Sequence, residues 1–455
     1  MADLDAIFKA YDVRGLVPSQ LDEETSRTIG AAFVAEVLPD DPDSAVVVGH
    51  DMRPSSPGLA AAFAEGVRDT GADVVLIGLA STDEVYFASG SLGLPGAMFT
   101  ASHNPAGYNG IKLCRAGAVA LSDATGLDAV RRRTAEHDVV LVPPSRRGRL
   151  EQREMTKSYA EHLHRLVPVA GRRLTVVVDA ANGMAGHTAP HVFAGLDVDI
   201  VPLYFELDGT FPNHEPNPLD PETLHDLQAM VVETGADLGL AFDGDADRCF
   251  AVDERGSLVS PSALTALIAV RALADDPGAR IIHNLIMSRA VPEIIERHGG
   301  VPVRTKVGHS LIKETMAETN AVFGGEHSGH YYFRDFWYAD SGMLAALHLL
   351  AAVAETGQSV SHLVGDLDPY ASSGEINRAV DDADAVLRAV SAAFDGRDDV
   401  HIDRLDGLSV ISKDWWFNVR ASNTEPLLRL NVEAETEDTM IDTVDAVLSL
   451  MRRQL

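Results

Sequence analysis

Cysteine is nearly absent from this 455-residue sequence: only Cys114 and Cys249 occur. Two are too few for a disulfide framework, and their spacing fits no zinc site, so both are expected as reduced, buried thiols. Positive charge is scarce as well, with 37 Lys and Arg against 68 Asp and Glu and a formal net charge of -31. A field of that sign repels nucleic acid and anionic membrane surfaces, which excludes both as partners. It also repels small anions, so any phosphate-binding site here has to gather its basic residues into one cleft. Long apolar runs are missing too. The longest, Met343 to Ala354, is interrupted by His348 and falls short of the roughly 20 residues that span a bilayer. The start, Met1-Ala2-Asp3-Leu4-Asp5, is acidic and leads into no apolar region, unlike a secretory signal. These absences predict a cytoplasmic protein without membrane insertion.

What remains is an ordinary globular composition, 46% hydrophobic and 23% charged, in a chain too long for one core. A unit recurs along it: an apolar β-branched run, a turn rich in Gly, Asp or Asn, a helix-period segment and a second apolar run. Copies occur at Ala45 to Ile77, at Leu174 to Val201 and at Arg280 to Val303. Each reads as βαβ, and the three predict similarly built α/β domains with mixed sheets. Beyond Pro369 the pattern changes. Helices near Ala383 to Phe394 and Glu437 to Arg452 flank strand candidates at Leu408 to Ile411, Trp415 to Val419 and Leu427 to Val432, predicting a smaller α+β domain. The expected divisions are 1–148, 149–250, 251–367 and 368–455, with Pro143-Pro144-Ser145 and Asp366-Leu367-Asp368-Pro369 as linkers.

Four polar segments carry chemistry. In Thr100-Ala101-Ser102-His103-Asn104-Pro105 a serine follows an apolar run and sits on a loop, with His103 adjacent and Lys112 beyond a tight turn. Alone, such a serine reads as a turn former or helix cap; the neighbouring cations and imidazole add the means to hold an anion and move a proton. In Phe242-Asp243-Gly244-Asp245-Ala246-Asp247-Arg248 three alternate carboxylates follow an apolar strand and can converge on a hard cation such as Mg²⁺ or Ca²⁺. An EF-hand is the rival reading, since Glu254 falls at the position of its bidentate ligand, but Arg248 replaces the turn glycine and the flanks read as strands. Arg248 suits charge-assisted hydrogen bonds to a phosphate. The third segment, Gly324-Gly325-Glu326-His327-Ser328-Gly329-His330, suits the hydroxyls of a sugar, and Val307-Gly308-His309-Ser310 adds another histidine. The last, Arg420-Ala421-Ser422-Asn423-Thr424-Glu425-Pro426, offers a guanidinium, hydroxyls, an amide and backbone N–H groups to one anion. For both, a plain turn is the alternative.

In this order, and with Tyr11-Asp12-Val13-Arg14-Gly15 near the start, the segments closely resemble the α-D-phosphohexomutase family, and within it the bacterial phosphomannomutase/phosphoglucomutase branch. The resemblance covers essentially the whole chain. It implies four domains around a central cleft and a reversible conversion of hexose 1-phosphate to hexose 6-phosphate, with mannose or glucose as the sugar. By the same resemblance Ser102 is a phosphoserine, and Asp243, Asp245 and Asp247 hold Mg²⁺ together with its phosphate. Arg14, His103, Lys112, Arg248 and His309 serve transfer of the phosphoryl group and the proton. Tyr11, Glu326, Ser328, His330, Arg420, Ser422, Asn423 and Thr424 bind substrate, and a hexose 1,6-bisphosphate is both activator and intermediate. The implied partners are small sugar phosphates, with the protein a monomer or homodimer. Alternatives are a phosphoglucosamine mutase, a phosphatase working through a phosphoserine, and a non-catalytic sugar-phosphate binder. His327 between Glu326 and Ser328 looks more like the phosphomannomutase/phosphoglucomutase branch. One departure stands out: Ile286 in Asn284-Leu285-Ile286-Met287 occupies a place where many relatives carry a lysine. Arg289 and Lys306 are the nearby cations that the sequence offers instead.

Overall fold

The computed structural model describes residues 3–38, 44–380, 382–421 and 427–452, and of residues 309 and 310 the backbone alone. The expected α/β and α+β architecture is present as four sheets. In the 7-stranded first sheet the order is Val13–Leu16, Tyr108–Arg115, Gly96–Phe99, Ala45–His50, Asp73–Leu79 and Leu150–Gln152, with Val119–Ala120 attached to Tyr108–Arg115. The second runs Leu258–Val259, Cys249–Val252, Leu238–Phe242, Leu174–Asp179, Val198–Leu203. The third runs Val301–Thr305, Arg280–Asn284, Phe323–Gly325, Tyr331–Phe333, Ala339–Asp340.

One topological detail repeats in all three. Gly96–Phe99, Leu238–Phe242 and Phe323–Gly325 each pair in parallel with the opening strand of their own βαβ unit. On the other side each pairs antiparallel with the strand that follows it. The connection between that strand and its antiparallel neighbour therefore leaves the carboxyl end of a parallel strand, where α/β sheets present their ligand-binding crevices. Those connections are 100–107, 243–248 and 326–330, the serine, acidic and Glu-His-Ser segments of the sequence.

The fourth sheet is wholly antiparallel, ordered Ala371–Ala379, Leu427–Ala434, Trp415–Ala421, Leu408–Ser412, Val400–Asp403, with helices Ala383–Phe394 and Glu437–Arg452. Its core is an apolar cluster of its own. The first three sheets instead share one cluster running from Val47 and Tyr86 through Leu174 and Leu240 to Phe323 and Leu350. Helix Gly342–Thr356, which contains the longest apolar stretch of the sequence, lies in that cluster. Among the described residues no helix is long and apolar enough to cross a membrane, and Cys114 and Cys249 are buried and unpaired.

Two expected divisions cut through sheets. Residue 148 precedes Leu150–Gln152, which pairs with Asp73–Leu79 and so completes the first sheet. Residue 250 lies inside Cys249–Val252, a member of the second sheet through its ladder with Leu238–Phe242. Leu150–Gln152 is an edge strand of the first sheet, and Cys249–Val252 lies next to an edge of the second.

Candidate active site

Ser102 leaves the strand Gly96–Phe99 in the left-handed region, at φ 50, a conformation costly for a residue with a Cβ. Its N–H donates to the Thr100 hydroxyl at 2.9 Å. The main restraint comes from Arg53, which lies outside the four polar segments. This guanidinium is fully buried and donates to the carbonyls of Ser102 (2.9 Å), Asn104 (2.7 Å), Pro105 (2.9 Å) and Tyr108 (3.0 Å). Asp51 lies 3.2 Å from its Nε. A signal existed in the sequence, since Asp51-Met52-Arg53 follows the strand Ala45–His50 of the first βαβ unit.

The serine and acidic loops meet. Ser102 Oγ donates to Asp243 at 2.8 Å, and Gly244 packs so closely that a Cβ there would stand 2.5 Å from the Ser102 carbonyl oxygen. Asp243, Asp245 and Asp247 are all buried, with ligand-capable oxygens within 4.8 Å of one another. Lys112 Nζ donates to Asp245 at 2.7 Å and to Asp247 at 2.5 Å. Burial, and then the charges of Asp245 and Asp247, drive the Asp243 carboxyl well above its usual range. Burial pushes Asp247 the same way, but Lys112 and His330 outweigh it and hold that carboxyl well below.

Arg248 Nη2 donates to His103 Nδ1 at 2.6 Å, and His103 Nδ1 also lies 3.2 Å from Ser102 Oγ. The guanidinium, followed by burial, holds the His103 imidazole well below its ordinary pKa, so it is neutral beside the serine. Arg14 donates to the Asn104 side chain at 2.6 Å and pairs with Asp12 at 2.5 Å, which places it at the rim of the serine loop.

The Glu-His-Ser loop joins the acidic loop through a backbone bridge between Arg248 and His330. His330 faces Asp247 at 3.4 Å, Glu326 at 3.5 Å and Asp340 at 3.9 Å. Burial alone would lower its pKa, but the surrounding carboxylates, Asp247 first, raise it to about 9. The ring is therefore a cation between carboxylates. Ser328 Oγ lies 2.8 Å from its Nδ1, and Tyr332 donates to Glu326 at 3.0 Å. Tyr11 reaches this side of the cleft, since a Cβ on Gly308 would lie 3.0 Å from its hydroxyl. His309 begins helix His309–Thr319, and its side chain lies outside the described residues.

From the fourth sheet, Arg420 is buried on Trp415–Ala421 and donates to Glu375 at 2.7 Å. Ser422, Asn423 and Thr424 lie outside the described residues. Ile286 is buried. Of the cations near it, Arg289 donates to the Lys413 carbonyl at 2.7 Å and lies 4.0 Å over the Tyr370 ring, so it is committed to the junction with the fourth sheet. A buried lysine outside the four polar segments also sits beside a carboxylate. Lys313 Nζ pairs with Asp340 at 2.5 Å and lies 4.1 Å over the Tyr86 ring. Arg14, Lys112, Arg248 and Lys313 are thus the cations gathered about the serine loop, the acidic loop and Asp340.

The chain matches known proteins over nearly its whole length. Models of the phosphoglucomutase/phosphomannomutase α/β/α domains I, II and III match residues 5–139, 157–256 and 260–370, and that of the C-terminal domain matches 375–450. The chain belongs to the phosphoglucomutase/phosphomannomutase family. Among its family relatives, an Escherichia coli phosphomannomutase is 40% identical, with 98% of this chain and 99% of the relative covered. A Pseudomonas putida phosphomannomutase/phosphoglucomutase is 39% identical over 95% of this chain and 92% of its own. A crystal structure of a phosphoglucomutase/phosphomannomutase family protein from Burkholderia thailandensis superposes with a TM-score of 0.90 at 34% identity, covering 100% of this chain and 98% of that one.

Proposed function

We propose that the protein interconverts hexose 1-phosphates and hexose 6-phosphates, with mannose and glucose phosphates as substrates, through a phosphoserine at Ser102. The observation that carries this reading is the Ser102 hydroxyl, seated 2.8 Å from Asp243 on three buried carboxylates. The same three carboxylates suit Mg²⁺. The donor set is all oxygen, and Asp245 Oδ1 is buried with no hydrogen-bond partner among the described residues. Asp243, Asp245 and Asp247 would hold the ion with the serine phosphate, and its charge would offset that of the transferring group.

In the first half-reaction the Ser102 Oγ–P bond breaks as the free hydroxyl of a hexose monophosphate bonds to phosphorus, and the proton which that hydroxyl gives up to a base is passed to the departing Ser102 Oγ. Lys112, Arg14 and Arg248 offset the charge of the group in flight. The resulting 1,6-bisphosphate turns over, and its other phosphate returns to Ser102, which ends the cycle phosphorylated. Glu326 and Ser328 accept and donate to sugar hydroxyls, while Arg420, with Ser422, Asn423 and Thr424, holds the phosphate that is not reacting. Most of the rate acceleration comes from positioning and charge. We place the enzyme in the cytoplasm, in keeping with two unpaired buried cysteines.

Treatment with glucose 1,6-bisphosphate and Mg²⁺ followed by intact mass measurement tests the reading. The wild type gains one phosphoryl group and Ser102→Ala gains none and has no mutase turnover. A coupled assay on mannose 1-phosphate, glucose 1-phosphate and glucosamine 1-phosphate tests the sugar: preference for the last overturns the substrate assignment. Release of inorganic phosphate in place of isomer overturns the transferase assignment.

A further inference from the structure

The start of helix Thr82–Leu92 combines features that its position in the first sheet's domain does not require. Ser81, Thr82, Asp83 and Glu84 are each at most 1% exposed, although acidic side chains are rarely buried without partners. Their partners come from other parts of the chain. The Thr82 N–H donates to the Asp245 carbonyl at 3.1 Å and its hydroxyl to Asp245 Oδ2 at 2.6 Å, two bonds to one residue of the acidic loop. Asp83 Oδ2 accepts from Tyr159 at 2.7 Å, on helix Thr156–Leu166, and from Ser341 at 2.7 Å, the N-cap of helix Gly342–Thr356. Asp83 Oδ1 accepts from Ser81 at 2.5 Å. The acidic loop is gripped from the opposite side too: a Cβ on Gly342 would meet the Arg248 and Ala246 carbonyl oxygens at 2.7 and 2.8 Å.

Asp245 is thereby oriented in a specific way. Its Oδ2 takes hydrogen bonds from Thr82 and Lys112, while its Oδ1, buried, has none among the described residues. A carboxylate held at one oxygen presents the other in a fixed direction. Partners of this kind, behind the ligands themselves, are what set ligand orientation in metal sites. Tyr159 and Ser341 in turn fix Asp83, and with it the helix turn that carries Thr82.

We infer that Thr82 is a positioning residue for the cation site, and that Asp83, tied to Tyr159 and Ser341, locks it against the helices that follow the first and third sheets. This rests on the reading of Asp243, Asp245 and Asp247 as Mg²⁺ ligands. It makes the same domain that carries Ser102 also orient a ligand contributed by the second sheet, so the phosphoryl donor and the ion share one frame.

Thr82→Val keeps the shape and the backbone bond and removes only the hydroxyl. Calorimetric titration of the purified full chain with Mn²⁺ is expected to show affinity weakened about 10-fold or more in Thr82→Val. Thr82→Ser, which keeps the hydroxyl, is expected to bind within about 3-fold of the wild type on the same scale. Tyr159→Phe, which touches neither the loop nor the ion, is expected to weaken binding in the same direction by less. Unchanged Mn²⁺ affinity in Thr82→Val overturns the inference, as does equal weakening in the Val and Ser variants, which marks a packing defect. Unchanged affinity in Tyr159→Phe overturns the role given to Asp83. Absence of Mn²⁺ binding in the wild type overturns the metal reading itself and this inference with it.

Discussion

Replacing Arg53 by Met removes a buried cation while keeping most of the side-chain volume, and its consequences follow from the partners it leaves behind. Asp51 and Arg53 are both buried, and burial pushes the Asp51 carboxyl up and the Arg53 guanidinium down, each opposed by the charge of the other. Deleting one member of a buried ion pair costs about 3–5 kcal/mol, because the other is left uncompensated. The carbonyls of Ser102, Asn104, Pro105 and Tyr108 lose their donor in the same step. Those donors hold Ser102 at φ 50, so the serine loop relaxes, and misplacement of a reacting group by about 1 Å costs roughly 100-fold in rate. We expect Arg53→Met to lower the first urea-unfolding transition by about 3–5 kcal/mol and mutase turnover by roughly 100-fold. The double variant Asp51→Asn/Arg53→Met removes both charges and should regain much of the stability. It should not regain turnover, since the four carbonyls still lack their donor. Hydrogen exchange across 100–108 should accelerate in both variants. Wild-type turnover in Arg53→Met, or recovery of turnover in the double variant, would refute the idea that this guanidinium organises the serine loop.

Two further predictions probe the surroundings of the site. Gly244→Ala puts a Cβ 2.5 Å from the Ser102 carbonyl oxygen, so the serine and acidic loops must part; a loss of about 1–3 kcal/mol with a large fall in turnover is expected, and an active, equally stable variant would refute the close packing. Burial pushes the Glu84 carboxyl up from 4.5 to about 8, opposed by the hydrogen bond from Thr156. Between those values the folded chain binds more protons than the unfolded one, so this group's effect on stability worsens as pH rises through the window and is complete above it. Glu84→Gln should therefore flatten the fall in stability between about pH 5 and 8 and be the more stable protein at about pH 9, by up to a few kcal/mol. A difference from wild type that is independent of pH would refute it.

Much of the architecture was legible because it follows local rules. Buried parallel strands such as Ala45–His50 and Leu174–Asp179 are continuous β-branched runs, and the polar loops that follow the parallel strands announce themselves by contrast. Edge strands are harder to read. Ala371–Ala379 and Val400–Asp403, the two edges of the fourth sheet, went unpredicted because their side chains are mostly half-buried or exposed, which leaves little apolar pattern. Leu150–Gln152 and Leu258–Val259, edges of the first and second sheets, escaped the expected divisions for the same reason.

The sequence by itself determined which groups are available for chemistry: a loop serine and alternate carboxylates, each placed after a strand by the apolar run before it, a Glu-His-Ser turn and an arginine-led polar loop. Only the tertiary structure decided how they are held. Arg53, Thr82, Asp83, Lys313 and Asp340 look in sequence like turn, cap and surface residues, since such residues are common at element ends. Their roles arise from partners far along the chain, as when Thr82 meets Asp245 and Asp83 meets Ser341. The physical reason is burial. Within an element a polar side chain can be satisfied by water, but where three sheets close on one cleft it is cut off from solvent and must find its partner in another sheet or helix.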